Sequence, residues 1–259
     1  MEKILSSQQI KIGLMKYLND PRESKDWALL PKFTGIPTNS LPLEERLVNQ
    51  EFIHIKQEEW KVVCFSTHAP KYKRHPNSSI DEGFLHGACR PRMWASYGEN
   101  HKGVCLKFNG KKFDRQIRIK PERTEKDRRV FHGKVKYIDY GDTLDSISID
   151  YTELSKIDMT QGLRNHLIKH HKEFFLLKPT DWKTEFEYRW LVHSKDRAAE
   201  FLPIKGIVEE VIVGFEFPRV YFPSLFELCD QLDIPVRGMI WKNGMPFVST
   251  YIHESRKVV

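Results

Sequence analysis

Residues 92–108 read RMWASYGENHKGVCLKF, a segment that combines a helix-like pattern with a strand-like one. Trp94, Tyr97 and His101 are three and four residues apart, so a helix would place them on one face. The apolar run 104–108 that follows is typical of a β-strand. A helix that delivers aromatic and imidazole groups to the mouth of a strand builds many small-ligand sites. Ordinary cores are built in the same way, so the stretch predicts either a site or a core.

The composition limits the class of protein. The chain has 259 residues, 40% of them hydrophobic, which is enough to bury a sizeable core. It lacks a run of about 18 apolar residues and a signal-peptide core, so we expect no membrane association and predict a cytoplasmic protein. Its four cysteines are widely spaced and form no CxxC pair, which favours reduced thiols over a disulfide framework or a zinc site.

Strand-like and helix-like segments alternate irregularly along the chain. This order predicts an α+β fold, a single domain over 1–259 with a mixed, mainly antiparallel central sheet and flanking helices. We expect its core at about 4–214, with a C-terminal extension, 215–259, packed on it. The predicted strands are 60–66, 104–108, 129–140, 188–193, 207–213 and 236–241, and the predicted helices after residue 40 are 43–59, the start of 92–108, 162–177 and 224–232.

An acidic pair, Glu185 and Glu187, precedes the strand predicted at 188–193. In an extended segment this spacing puts both carboxylates on one face. At a cleft, one carboxylate could bind a ribose hydroxyl and stabilise oxocarbenium-like charge, while the other orients or deprotonates a nucleophile. The alternative is an exposed acidic face balanced by Lys183 and Arg189.

Three further side chains are candidates for ligand binding. Tyr97 could stack on a flat ring, and His101 could donate a hydrogen bond or transfer a proton. Lys178 could neutralise a ligand phosphate. The structural alternatives are a packing role for His101 and an ion pair of Lys178 with Asp181 or Glu185.

The segment 102–129 carries eleven Lys or Arg residues against four acids. Such a run is usually a solvated loop, and binding of nucleic acid or an acidic partner is the sharper alternative. In the nucleic-acid interpretation the contacts come from Lys111, Lys112, Lys126, Arg128 and Arg129.

Two histidines have a spacing that can bind a metal, and common nucleotide-binding motifs are missing from the sequence. His166 and His170 have the i, i+4 spacing of a metal-binding helix, but no third ligand is evident, so we predict a basic helix face and no metal site. Walker, GxGxxG and GxSxG patterns are missing, which argues against a P-loop NTPase, a Rossmann dehydrogenase and an α/β-hydrolase.

Five motifs in order define a family resemblance. They are NDP at 19–21, CFS at 64–66, MWxxYxxxHxGxCxxF at 93–108, the K…WxxExEYR block at 178–189 and a strand ending in glycine at 211–214. On these motifs the chain resembles, over about residues 4–214, the bacterial family called domain of unknown function 2971. That family carries no established activity that could be transferred to this chain.

The acidic pair adds a remote resemblance to ADP-ribosyltransferases, in which a Q/E-x-E pair enters a late strand. The resemblance implies NAD as co-substrate, with Glu187 as the catalytic glutamate and Glu185 as the acid before it. Tyr97 then matches the aromatic residue that sandwiches the nicotinamide. The expected cofactor-binding residues are Tyr97, His101, Lys178 and Arg189.

The beginning of the chain departs from its relatives. These usually start with a strand resembling LYHYT ahead of a helix, and here residues 2–13 fall inside the position of that helix. We therefore expect the first strand, with the His or Arg that holds NAD in the transferases, to be missing.

Three functions follow as hypotheses. The first is NAD-dependent ADP-ribosyl transfer to a macromolecular acceptor, or NAD glycohydrolysis, by analogy in a toxin or phage-defence system. The second is a nucleic-acid-binding or nuclease-type module that uses the basic segment 102–129. The third is a non-catalytic partner-binding protein with a degenerate site. A shared pocket for Tyr97, His101 and Glu187 would favour the first.

Overall fold

The strand predicted at 60–66 lies in the middle of a five-stranded antiparallel sheet, as β3 (Trp60–Ser66). The computed structural model that shows this describes residues 2–20, 23, 27–34, 44–70, 83–119, 127–139 and 147–253. Every pairing within the sheet is antiparallel. In spatial order its strands are β10 (Glu200–Pro203), β1 (Gln9–Leu14), β3, β9 (Glu187–His193) and β5 (Arg129–Lys134).

A second sheet has four strands and is mixed, because its two middle strands run parallel. In spatial order they are β13 (Met245–His253), β12 (Val236–Lys242), β11 (Val208–Val213) and β4 (Val104–Phe108). Strand β13 was not predicted from the sequence. A signal for it existed, because Asn243-Gly244 lies between β12 and β13 and Asn-Gly is the strongest short hairpin signal. Both residues have the positive φ that such a turn requires. Two short parallel pairs complete the strands: β2 (Leu30–Lys32) with β7 (Ser148–Asp150), and β6 (Lys136–Tyr137) with β8 (Leu177–Lys178).

Helices cover the outer face of the five-stranded sheet. Apolar side chains of α2 (Glu45–Glu58) and of the later helices pack on Trp60 and Leu191. The helix predicted at 162–177 is two helices separated at His170. The helices of this layer after α2 are α5 (Tyr151–Leu154), α6 (Met159–Lys169) and α7 (His171–Phe175).

The main core lies between the two sheets. Val63, Trp190 and Val192 project inward from the first sheet, and Val211 and Val213 project from the second. Two helices pack into this core, α4 (Gly110–Arg118) and α8 (Phe222–Leu232). The predicted α+β class with mainly antiparallel strands is confirmed, whereas the division into 4–214 and 215–259 stays a prediction.

The helix expected at 2–13 is wrong beyond residue 7. Helix α1 (Glu2–Ser7) ends, Gln8 takes a left-handed conformation at φ 49°, and β1 follows. Ile10, Ile12 and Leu14 are two residues apart, and Ile12 and Leu14 are buried on one face of the sheet. This period of two is typical of a strand, and residues 9–14 follow it and not the predicted helix.

Two segments expected to be irregular contain regular structure. Within the basic segment, α4 begins after Asn109, whose side chain accepts a hydrogen bond from the Lys112 amide at 3.0 Å. Phe113 and Ile117 are buried on its inner face, which explains why a charged run forms a helix. The connection predicted at 141–157 contains β7 and α5, while 140–146 lies outside the described residues.

Candidate functional site

Two neighbouring strands form the floor of a pocket. Ser66 of β3 lies opposite Glu187 of β9, and Cys64 lies opposite Arg189. Because side chains alternate across a sheet, these four project from the same face. They line a pocket of about 360 Å³. That volume is at the lower end for ligand pockets and suits one half of a dinucleotide better than the whole.

Three other segments form the walls of this pocket. One is helix α3 (Pro91–Tyr97), another is the turn from β8 into β9, and the third is the segment that follows β1. The wall residues that carry polar or aromatic groups are Tyr97, Lys178, Trp182, Glu185, Tyr17, Asn19, Asp20 and Glu23. The pocket therefore brings together residues from the whole first three quarters of the chain.

A network of charged groups occupies the pocket floor. The Lys178 ammonium lies 2.8 Å from Glu185 Oε2 and 3.1 Å from Glu187 Oε2, so one cation bridges both carboxylates. The Arg189 guanidinium donates two hydrogen bonds to Glu187, at 2.7 and 2.9 Å, and also pairs with Glu23. The Tyr97 hydroxyl donates to Glu185 Oε1 at 3.0 Å. Of the candidates from the sequence, all but His101 meet here.

The network keeps Glu187 ionised. Burial acts to raise the pKa of its carboxyl, but the hydrogen bonds and charge of Arg189, together with Lys178, outweigh burial and lower the pKa below its ordinary value. For Lys178, burial acts to lower the pKa, and Glu187 and Glu185 reverse this and raise it. Both groups are therefore charged at neutral pH, and neither is ready to exchange a proton.

Other groups around the floor are protonated. Burial and the adjacent Glu185 raise the pKa of Tyr97 to about 12, so its hydroxyl stays a donor. Cys64 is exposed on this floor as a free thiol.

The backbone conformation between Glu185 and Glu187 differs from the extended one that their spacing predicts. Glu185 ends a 3₁₀ helix, Thr180–Glu185, and Phe186 has left-handed backbone angles, φ 44° and ψ 53°. The expectation of an extended Glu-x-Glu segment is therefore wrong. The two carboxylates still converge, because the left-handed residue turns the chain between them while Lys178 contacts both.

A buried arginine braces this turn. Arg90 donates to the Glu185 carbonyl at 2.8 Å and to Ser66 and Thr67 at the end of β3. Its guanidinium lies over the Phe186 ring, 4.4 Å from the centroid. Burial lowers the Arg90 pKa to about 10, so the group remains cationic. Arg90 thus joins the end of β3, the start of α3 and the acidic turn.

His101 was predicted from the sequence as a cofactor-binding residue, but it does not line the pocket. Its backbone is left-handed, at φ 69°, and its ring stacks on Trp94 at 6.4 Å between centroids. The His101 carbonyl accepts from the Glu216 amide at 3.0 Å, and a Cβ added to Gly214 would lie 2.1 Å from it. The break after α3 turns the chain, so the helical face shared with Tyr97 ends before His101. His101 is a packing residue at this turn.

The residues proposed for nucleic-acid binding are dispersed. Arg128 is buried, with its guanidinium 3.0 Å from Glu200 and from the Ile117 carbonyl, so it faces inward. Lys112 donates to the Gly206 carbonyl at 3.0 Å. Arg129 is exposed at the start of β5, Lys111 is exposed on α4, and Lys126 lies outside the described residues. The four of these residues that the structure describes do not form one exposed patch, because Arg128 is buried.

No group of three potential metal ligands occurs among the described side chains. The rings of His166 and His170 do approach each other, with 4.7 Å between centroids, on one side of α6. The cysteines within the described ranges are free thiols.

Several residues of the pocket were not singled out from the sequence as ligand contacts, among them the four residues Tyr17, Asp20, Cys64 and Ser66. A signal existed for three of them, because Asp20 belongs to the NDP motif and Cys64 and Ser66 belong to the CFS motif. Small polar groups at the end of a hydrophobic strand mark a strand that opens onto a cavity. Tyr17 has no such signal.

A model of the family described as "Protein of unknown function (DUF2971)" matches residues 93–190. The matched segment runs from α3 to the start of β9 and includes Tyr97, Lys178, Glu185, Glu187 and Arg189. It supports the family resemblance that the motifs indicate. No curated protein and no solved structure matches the chain significantly, and the resemblance to ADP-ribosyltransferases has no support in these comparisons. Across the described residues, the helices are too short or too polar to cross a membrane.

Proposed function

We propose that the pocket binds NAD and cleaves its nicotinamide–ribose bond, passing the ADP-ribosyl group to water or to a macromolecular acceptor. The observation that carries this proposal is Glu187, a buried and ionised carboxylate fixed in a small pocket by Arg189 and Lys178. A carboxylate fixed before the reaction stabilises positive charge that develops beside it, without reorganisation.

The chemistry of the bond fits the charges of the pocket. When the bond between the ribose anomeric carbon and the ring nitrogen breaks, the electron pair leaves with nicotinamide, and positive charge moves from the ring to the sugar. Glu187 would face that charge. An oxygen of water, or a nucleophile of the acceptor, then bonds to the anomeric carbon and releases one proton. Because Glu187 stays ionised, its role is electrostatic, and the released proton goes to solvent or to another base.

The walls of the pocket suit the nicotinamide riboside half of NAD. Tyr97 exposes 51% of its surface and carries no cation over its ring among the described residues, so it offers a flat aromatic surface to a cationic ring. Glu185 is positioned by the Tyr97 hydroxyl and can accept a hydrogen bond from a ribose hydroxyl.

Cations lie beside two of the wall aromatics, outside the lining of the pocket. Lys16, which is also paired with Glu58 at 2.9 Å, and Lys11 lie 5.0 and 5.9 Å from the centroid of the Tyr17 ring. On the α3 side, Arg92 lies 5.6 Å from the centroid of the Trp182 ring. An acidic floor with cations around its rim matches a ligand with a cationic ring at one end and a diphosphate beyond it.

The test is to incubate the protein with NAD labelled in the nicotinamide or in the adenylate, with and without a cell lysate. We expect nicotinamide release, and with lysate we expect macromolecules to carry the adenylate label. Glu187→Gln should lower the rate about 100-fold or more, as for loss of one preorganised electrostatic group. Arg189 keeps Glu23 as partner in that variant, so the fold should survive.

The matched control is Glu153→Gln, which changes an exposed carboxylate paired only with Lys156 on the helical side. It should leave the rate unchanged. If neither label is released or transferred, or if Glu187→Gln equals the wild type, the proposed reaction is wrong. Binding of NAD without turnover would instead favour the non-catalytic partner-binding alternative.

A further inference from the structure

A second and wider cavity runs along β3 and β9, and Cys64, Phe65 and Ser66 border both this cavity and the pocket. Phe65, Tyr188 and Trp190 project from the opposite face to Ser66, Glu187 and Arg189, as strand alternation requires. The cavity is a groove of about 1200 Å³, bounded by β4 and α4 on one side and by β5 and β9 on the other. That exceeds the usual volume of a small-molecule pocket. The groove has room for several units of a polymer.

A flat imidazole is fixed on one wall of this groove. The His132 ring is stacked on Tyr188 and Trp190, with interplanar angles of 25° and 27°. Its Nδ1 forms a hydrogen bond with the Tyr188 hydroxyl, and its Nε2 lies 3.8 Å from Asp114, which also accepts from Trp190 Nε1 at 3.1 Å. The His132 side chain is 39% exposed. The His132 ring is therefore partly exposed, with the Tyr188 and Trp190 ring centroids 5.9 and 6.2 Å away.

Cations lie near the stack. Lys111 and Arg115 are exposed on α4 and line the groove. Lys134 is exposed on β5 outside that lining, two residues from His132 and on the same face. Within the described ranges, no carboxylate forms an ion pair with these three. Lys107 and Arg118 nearby are different, because they are paired with acids of β11 and α4.

We infer that this groove binds single-stranded nucleic acid. A fixed flat stack offers a face to an unpaired base, and the flanking cations are placed for the phosphates on either side of that base. An acidic peptide would use the cations but not the stack, and a duplex keeps its bases inside. The inference does not depend on the reaction proposed for the pocket, since its binding residues, Lys111, Arg115 and His132, do not line that pocket.

The test measures binding of fluorescent oligothymidylate and oligouridylate, each about a dozen nucleotides long, by the wild-type chain over a range of salt concentrations. We expect log K to fall with log salt by about 0.7 for each phosphate neutralised. The double variant Lys111→Glu/Arg115→Glu should weaken binding and reduce the slope by about 1.4. His132→Ala should weaken binding about tenfold with the slope unchanged, because stacking is not ionic.

The matched control is Lys169→Glu/Lys172→Glu, two exposed lysines on the helices that cover the opposite face of the sheet. It makes the same charge change and should affect binding less than Lys111→Glu/Arg115→Glu. Equal loss in the two double variants would show that only net charge matters and would overturn the inference. So would tighter binding of a polyglutamate peptide or a duplex than of the single strand, or His132→Ala without effect. Glu187→Gln should bind the oligonucleotides like the wild type, which separates this result from failure of the proposed reaction.

Discussion

The two ends of strand β9 carry the same charged motif in different surroundings. At its start, Glu187 is held by both prongs of Arg189, at 2.7 and 2.9 Å. Next to its end, Glu59 is held by both prongs of Arg164, at 2.8 Å each. Both glutamates are buried, and in both the arginine overcomes the effect of burial, so that the pKa is lowered, to about 2 for Glu59.

The difference between the two ends is access. Glu187 borders a pocket with aromatic walls, whereas Glu59 is enclosed by α6, by Trp60 and by the buried ring of His193, 3.5 Å away. A perturbed carboxylate with an arginine partner therefore does not identify a functional site by itself. The Glu59 end joins β3, β9 and α6, and its role is to hold the helical layer on the sheet. Only the Glu187 end can meet a ligand.

The largest effect that would distinguish the two ends is on stability. Arg164→Ala removes the partner of a carboxylate that is 1% exposed, and should lower the free energy of unfolding by about 3–5 kcal/mol. Chemical denaturation measures this. Glu187→Gln should cost clearly less, because Lys178 and Arg189 both keep other carboxylate partners.

A reversed order, with Glu187→Gln costing more stability than Arg164→Ala, would make the pocket end the structural one. The comparison would also fail if Arg164→Ala, under conditions where it is folded, abolished nicotinamide release while leaving NAD binding intact.

The regular parts of this fold could be read from the sequence because they depend on local patterns. The strands at 60–66 and 104–108 are apolar and β-branched, and they occur at the predicted residues. The failures occur where distant contacts decide. Residues 9–14 alternate as a strand does but directly follow a helix, and their pairing with β3 and β10 decides for the strand, while the inner face of α4 packs into the core between the sheets.

The candidate site was predicted in part for the same reason. Tyr97, Lys178, Glu185 and Glu187 could be found because chemically active residue types stood in dense motifs. The segment after β1 that forms a wall of the pocket could not be predicted. Nothing near Glu23 in the sequence indicates that this residue pairs with Arg189, far along the chain. The second groove could not be predicted either, since His132, Tyr188 and Asp114 come from three elements with no shared motif.

A smaller effect should appear on acidification. The folded-state pKa of Glu59, about 2, lies below its ordinary value of 4.5. Its contribution to stability is therefore complete above about pH 4.5 and is lost as the pH falls towards 2, by up to about 3 kcal/mol. Urea unfolding measured between pH 5 and pH 2.5 should show this decline.

Glu59→Gln should flatten that decline, because the variant has no proton to take up at this position. Glu187→Gln should flatten it as well, since the pKa of Glu187 is also lowered. A wild-type free energy of unfolding that is constant over this range, or a Glu59→Gln variant with an unchanged slope, would contradict the assignment of Glu59 as a paired, ionised group.

The smallest effect is expected at His101, the one pocket candidate that the structure places elsewhere. Its left-handed backbone and its carbonyl define the turn before β4, whereas the imidazole only packs on Trp94 and Phe215. Asparagine tolerates the same backbone angles, so His101→Asn should change the free energy of unfolding by less than about 1 kcal/mol and leave NAD turnover unchanged. Gly214→Ala should destabilise more, since its Cβ would meet the His101 carbonyl oxygen at 2.1 Å. If instead His101→Asn abolished turnover in a fully folded protein, the imidazole would have to reach the ligand, and the turn after α3 would belong to the functional site.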